Sequence, residues 1–254
     1  MIFVLLSLTV VISLLTYSYH VLANYQHPIP IGGNILLLTA HPDDECMFFG
    51  PTLRGLGRQH KNRIHVLCLS TGNADGLGQI RKRELVKSSQ VLGIQPSHVR
   101  VSEHSELQDG MKSVWPTDII AQLVNNYVSK QSIDTIITFD GYGVSGHPNH
   151  IAAYEGAKRY IETQKGSTKL YTLDSIPLVR KYIGIGDLIT SSFQQIMALI
   201  KKEEKGSVLI VSSPGAYFAT HKAMREHTSQ LVWFRWLYVT FSRYMYVNEL
   251  SLAN

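Results

Sequence analysis

Hydrophobic and polar positions divide the chain into two unlike parts. Residues 2–23 read IFVLLSLTVVISLLTYSYHVLA, with no charged side chain among them. A helix rises about 1.5 Å per residue and needs about 20 residues to cross a bilayer core, so this segment predicts a membrane-spanning helix. Ser7, Thr9, Ser13 and Thr16 can return their hydroxyls to preceding helical carbonyls, while Tyr17, Tyr19 and His20 suit the interface at the far end. Val21-Leu22-Ala23 also has the small-residue character of a signal cleavage site. The absence of a basic leading region and the length of the apolar stretch favour a retained anchor. The expected organisation is an anchor over 1–23, a linker over 24–33 and one folded domain over 34–254.

From Ile35 onward, short runs rich in β-branched residues alternate with longer stretches of helical periodicity. The pattern predicts strands at 35–39, 64–70, 99–102, 135–139, 170–174 and 208–212, with helices at 48–59, 80–92, 117–130 and 151–163. Such alternation belongs to βαβ units, so the fold class expected is α/β, a single domain around a mainly parallel sheet. Residues 182–204 predict an extra helix or a mobile excursion before the last strand. No G-x-G-x-x-G follows the first strand and no P-loop occurs, which argues against nucleotide binding by those routes.

Composition sharpens this picture in three ways. With 254 residues, 44% hydrophobic and 17% charged, the chain has room for a full core and is neither disordered nor a disulfide-stapled miniprotein. The first Lys or Arg is Arg54, so all 24 basic residues and the net +5 belong to the body, which favours anionic partners. They are scattered and no recognition motif accompanies them, so nucleic acid is not an expected partner. Arg54, Arg58, Lys61 and Arg63 follow the apolar segment and bias the body toward the cytosolic side. Cys46 and Cys68 form no CxxC and no framework, consistent with a reducing compartment.

The candidate chemistry sits at two predicted strand ends. The first strand runs into Ala40-His41-Pro42-Asp43-Asp44-Glu45, and the fourth into Asp140 and then His147-Pro148-Asn149-His150. In open α/β sheets ligands bind at the carboxyl edge of the strands. Three consecutive carboxylates at a buried strand end repel one another unless a cation or hydrogen bonds compensate. His41, Asp44 and His150 make a two-His, one-carboxylate set suited to zinc with a position left for water, and Asp43 or His147 is then left for proton transfer. Each segment alone also reads as an ordinary helix start, capped by Asp43 and Asp44 or by Asn149. Non-haem iron uses a similar triad, but would leave Asp43 and His147 without roles.

These two motifs together resemble the PIG-L/LmbE family of zinc-dependent de-N-acetylases. The resemblance extends to Arg81-Lys82-Arg83-Glu84-Leu85, to Thr138-Phe139-Asp140 leading to Val144-Ser145-Gly146-His147, and to Ala223-Met224 before His227-Thr228-Ser229-Gln230. It implies a Rossmann-like catalytic domain over 34–254, with Zn²⁺ held by His41, Asp44 and His150. It further implies Asp43 as base, His147 as oxyanion stabiliser, Arg81 on a substrate phosphodiester, Asp109 on sugar hydroxyls and His227 near the metal pocket. Asp109-Gly110 as a plain turn, His227 as a satisfied structural histidine and Arg81 on a solvated helix face remain the alternatives. Many bacterial members carry Asp where this chain has Asn149. Asp140 is then a candidate to orient His147, or simply a turn residue.

The aromatic tail after Leu231 resembles the membrane-bound eukaryotic branch of that family. That branch implies a phosphatidylinositol-linked N-acetylglucosamine substrate, the second step of GPI-anchor assembly and a single-pass position in the endoplasmic reticulum membrane facing the cytosol. Residues 231–250 carry Trp233, Phe234, Trp236, Tyr238 and Phe241 with Arg235 and Arg243, the pattern of a membrane-interface helix or of a core-packing one. The alternatives to this activity are deacetylation of another N-acetylglucosamine conjugate and a catalytically silent membrane adaptor.

Overall fold

Continuous apolar runs such as Ile35-Leu36-Leu37-Leu38 arise when a strand is covered on both faces, and all four of these side chains are buried. The computed structural model describes residues 2–25, 31–59, 62–164, 167–201 and 207–253. Seven strands form one sheet: β1 (Asn34–Thr39), β2 (Arg63–Cys68), β3 (Val99–Val101), β4 (Thr135–Phe139), β5 (Lys169–Leu173), β6 (Ser207–Val211) and β7 (Val247–Ala253). Their order is β3-β2-β1-β4-β5-β7-β6. The first five pair in parallel, and β7 lies antiparallel between β5 and β6. The α/β, mainly parallel expectation holds. The strand order reverses between β1 and β4, which is the switch point where such sheets bind ligands.

Two helical groups support the sheet. The helices Thr117–Gln131 and Pro148–Thr163 pack together, as do Gly50–Gly57, Gly78–Leu92 and Pro214–Glu226. Gly156 allows the first pair its close approach, since a Cβ there would lie 2.3 Å from Ile120 Cγ2.

The C-terminal third departs most from the sequence pattern. The 231–250 stretch is helical only over Trp233–Phe241, then turns through Arg243–Met245 into β7. Asn248 explains part of this: its side chain accepts from the Thr52 backbone N–H at 3.1 Å and Thr52 Oγ1 at 2.7 Å, and donates to Phe48 O at 2.9 Å. These bonds anchor the start of β7 in the core, where an interfacial helix could not reach. Helix Pro214–Glu226 was not anticipated, and the predicted 48–59 helix is observed over Gly50–Gly57, preceded by a short unanticipated helix Asp44–Met47. The 182–204 stretch contains the helix Asp187–Lys201, while positions 202–204 lie outside the described residues.

The N-terminal helix Ile2–Tyr25 contains one stretch, Phe3–Leu22, long and apolar enough to cross a membrane. Ser7 and Thr9 donate back to Phe3 O and Leu5 O at 2.8 and 2.9 Å, as expected for hydroxyls in such a helix. Its last turns join the body. Leu22 packs with Leu188, Leu209 and Val247, and Ser192 Oγ donates to Ser18 Oγ at 3.0 Å. The helix extends past the expected boundary at 23, and linker positions 26–30 lie outside the described residues.

Candidate active site

The segments after β1 and β4 meet at the switch point. Asp44 Oδ2 accepts the backbone N–H groups of Ala40 at 3.0 Å and His41 at 2.8 Å, which fixes the carboxylate and leaves Oδ1 3.3 Å from His150 Nε2. His150 is fixed from behind: Nδ1 donates to Gly143 O at 3.1 Å, and the ring stacks on Phe139 at 4.0 Å. A carbonyl only accepts, so Nδ1 carries a proton, and Nε2 is the ring nitrogen turned to Asp44. His41 Nε2 lies 3.1 Å from Asp109 Oδ1 and 3.2 Å from Asn149 Oδ1. Ligand atoms of His41, Asp44 and His150 fall within 4.8 Å of one another, and those of His41, Asp109 and His147 do likewise.

Asp43 stands beside this group in a strained backbone, φ 113°, a region disfavoured for any residue with a Cβ. Its Oδ2 lies 3.1 Å from Arg235 Nη2 and has no hydrogen-bond partner among the described residues. Burial pushes the Asp43 carboxyl up against the lowering effect of Arg235. Burial also acts on Asp44, but His150 and His41 hold it far below the usual carboxylate range. For His41, burial is outweighed by Asp109 and Asp44, and the imidazole is raised. His147 is pushed down to about 4 by burial and by His150 and His41. Its Nδ1 accepts the Asn149 N–H at 3.2 Å, so the neutral ring carries its proton on Nε2.

A cavity of about 380 Å³ against the N-terminal helix is almost wholly apolar. The cavity of about 460 Å³ over the His and Asp cluster holds the reactive groups. His41, Asp43, Asp44, Asp109, His147 and His150 line its floor, while Arg81, Lys181 and Arg235 bring three cations to it. Met47, Phe48, Tyr182, Phe234 and Tyr238 form its apolar wall.

Arg81, His227 and Asp140 are each held by neighbours within the fold. Arg81 is buried and committed: it donates to Gly72 O and Pro42 O, both at 2.8 Å, and lies 3.5 Å from Asp109 and 3.7 Å from Asp43. Its fork braces two loops while it lines the cavity. Gly72, at φ 65°, is needed for this, because a Cβ would lie 2.5 Å from the guanidinium carbon. His227 does not reach the cavity: it is wholly buried, with Nε2 2.7 Å from Glu45 Oε1. Asp140 does not orient His147. Its oxygens accept from Tyr142 N, Gly143 N, Ser175 N and Ser175 Oγ, so it builds the turn after β4. Asp109, by contrast, is brought to the cavity floor.

The family model described as GlcNAc-PI de-N-acetylase matches residues 36–161, which span both strand ends. The N-acetylglucosaminyl-phosphatidylinositol de-N-acetylase of Bos taurus is 41% identical over 231 residues, covering 89% of this chain and 86% of that one. The chain belongs to the PIG-L family. A Schizosaccharomyces pombe protein named "Probable N-acetylglucosaminyl-phosphatidylinositol de-N-acetylase" is 42% identical over 222 residues, 87% of each chain. The fold is shared with N,N'-diacetylchitobiose deacetylase from Pyrococcus horikoshii, at a TM-score of 0.63, 14% identity and coverage of 90% of this chain and 86% of that one. As a PIG-L member with such relatives, the chain is an enzyme of the deacetylase class.

Sequence reasoning missed Lys181 and understated Arg235. Lys181 lies just before the unassigned 182–204 stretch with no motif around it, and Arg235 read as a membrane contact. Only the packing of helix Trp233–Phe241 over Met47 and Phe48 turns Arg235 inward, with Tyr238 Oη donating to Met47 O at 3.3 Å and its ring edge-on to Phe48.

Proposed function

We propose that the chain hydrolyses the N-acetyl group of N-acetylglucosaminyl-phosphatidylinositol, giving glucosaminyl-phosphatidylinositol and acetate, the second step of GPI-anchor assembly. The observation that carries this reading is the convergence of His41, Asp44 and His150 beside a buried Asp43 in a cavity lined by cations. The names of the relatives fit the same substrate.

Two imidazoles and a carboxylate held in converging orientation suit a zinc ion, and Asp43 Oδ2 beside them, near Arg235 but without a hydrogen bond among the described residues, suits a water. Bound there, zinc would lower the pKa of its water toward about 7 and polarise the acetamide carbonyl. Asp43 accepts the proton of the attacking water, a task its raised pKa favours. His147 donates its Nε2–H to the developing oxyanion as a neutral imidazole, since its depressed pKa removes it as an imidazolium acid at neutral pH. Asp43 then returns its proton to the sugar nitrogen as the C–N bond breaks. Asp109, on the cavity floor, accepts from sugar hydroxyls in this reading, and Arg81 holds the loops that carry Asp43.

The mouth of the cavity adjoins an apolar rim. Leu178, Val179, Ile183 and Ile185 on one side, and Trp233, Phe234, Leu237 and Phe241 on the other, are exposed. Tyr182 and Tyr238 join the two sides, ring to ring at 6.2 Å. A rim of this kind suits contact with a bilayer whose lipid the site takes up, with helix 2–25 retained as a single-pass anchor. The buried thiols of Cys46 and Cys68, both free, fit a body facing the cytosol at the endoplasmic reticulum.

The test is acetate release from N-acetylglucosaminyl-phosphatidylinositol by the detergent-solubilised full chain, untreated, chelated, zinc-restored and as Asp43→Asn. Release that chelation stops, zinc restores and Asp43→Asn abolishes is the expected result. Turnover of a soluble N-acetyl sugar with none of the lipid overturns the substrate assignment, and silence on both overturns the reading.

A further inference from the structure

Among the cations at the cavity, Lys181 alone lacks a carboxylate within 4.0 Å among the described residues. Arg81 braces Pro42 and Gly72 and lies near Asp43 and Asp109, and Arg235 is drawn to Asp43. Neighbouring Arg180 is spent on Asp187, to which it donates at 2.8 and 3.0 Å. Lys181 is only 5% exposed, and its ammonium, with three donors, makes one hydrogen bond, to Val144 O at 3.0 Å. A buried cation without a countercharge is costly, and burial does push this ammonium's pKa down. An incoming anion would relieve that cost.

The position of Lys181 identifies the kind of anion. It lines the cavity over the His and Asp cluster and also an adjoining cavity of about 560 Å³ bounded by Tyr142, Ser175, Ile176 and Leu178, with Ser145 common to both. The backbone around it is held under strain: Val144, β-branched, sits at φ 67°, its N–H donating to Ser175 Oγ at 2.8 Å and its carbonyl turned to Lys181. Two and three residues earlier, Val179 and Leu178 are 77% and 72% exposed on the apolar rim. From rim to floor the protein therefore offers apolar surface, then an unneutralised cation, then the acetamide chemistry. A phosphatidylinositol glycoside presents its parts in the same sequence: acyl chains, phosphodiester, inositol, N-acetyl sugar.

We propose that Lys181 binds the phosphodiester of the lipid substrate and sets its KM, an inference that rests on the substrate reading above. The experiment compares the full chain in detergent with Lys181→Met and Lys181→Gln, on N-acetylglucosaminyl-phosphatidylinositol and on the phosphate-free N-acetylglucosaminyl-inositol. Where the phosphate-free glycoside is not turned over, its Ki as a competitor is read instead. Glutamine keeps a donor for Val144 O and removes the charge, so it separates bracing from anion binding.

Both variants are expected to raise KM for the lipid about tenfold while kcat stays within about twofold, and to leave the phosphate-free glycoside unchanged. Equal changes on both compounds, or a wild-type KM in Lys181→Gln, would overturn the assignment. A wild-type chain that deacetylates the glycoside but not the lipid would instead sink the substrate reading, and this inference with it.

Discussion

Two clusters of carboxylate and histidine begin one residue apart and have opposite characters. Asp43 and Asp44 face the cavity with His41 and His150, while Glu45 turns inward to His227. The inner cluster is closed except at His227 Nδ1, which has no hydrogen-bond partner among the described residues. Glu45 accepts from Asp43 N at 3.1 Å, from Ser88 Oγ and from His227, and Glu84 beside it accepts from Thr228 Oγ1, Ser229 N and Ser229 Oγ. The outer cluster is left short of partners: Asp43 Oδ2 and Asn149 Nδ2 have none by hydrogen bond among the described residues. Burial raises Asp43, whereas His227 holds Glu45 low despite its burial. Identical residue types thus serve reaction where they are unsatisfied and cohesion where they are paired. The Glu45 bond to the Asp43 N–H links them, so the inner pair holds the outer residue in its strained conformation.

The comparison breaks most sharply at its two acids. Asp43→Asn is expected to cut acetate release by about 10²–10⁴-fold while the melting temperature moves by only a few degrees, as read by initial rates and thermal unfolding. Glu45→Gln should do the reverse in kind: it uncouples a buried pair, and denaturant titration should show a loss of about 3–5 kcal/mol. Activity per folded molecule should fall far less than in Asp43→Asn. If Glu45→Gln leaves stability intact, the inner cluster is not the cohesive one.

The rim gives a smaller effect. Trp233→Ser with Leu237→Ser, both exposed and outside the cavity lining, should raise KM for the lipid in the full chain, leaving turnover of the phosphate-free glycoside unchanged. A histidine outside both clusters supplies the smallest. His65 is pushed down to about 4 from an ordinary 6.5 by burial, with the stacked His98 and Arg63 adding to it. The unfolded chain then binds the extra proton between these values, so stability is held above pH 6.5 and lost as pH falls toward 4. His65→Gln should flatten that slope in unfolding measured across the same window.

Sequence made the parallel half and its two reactive strand ends legible for a local reason. An apolar run passing directly into His41-Pro42-Asp43-Asp44, or into Asp140 and His147-Pro148-Asn149-His150, states both the strand and what stands at its end. β7 was hidden because its pairing with β5 and β6 is non-local and no Gly or Pro marks the turn that separates it from the aromatic helix. Arg81 was found by motif, but the motif shows the guanidinium and not the carbonyls of Pro42 and Gly72 that it bonds. His227 stayed open between the metal pocket and a structural role, because its partner Glu45 lies 182 positions away. Lys181 had no local signal, because its meaning comes from the missing countercharge and from the cavities it joins.

The most direct test of the central claim is calorimetric titration of zinc into the chelator-stripped full chain, beside His150→Ala and Asp43→Asn. One equivalent should bind to wild type and to Asp43→Asn, and His150→Ala should lose that binding, because the two strand ends supply one centre and Asp43 stands next to it without being part of it. Zinc bound equally well by His150→Ala would contradict the account.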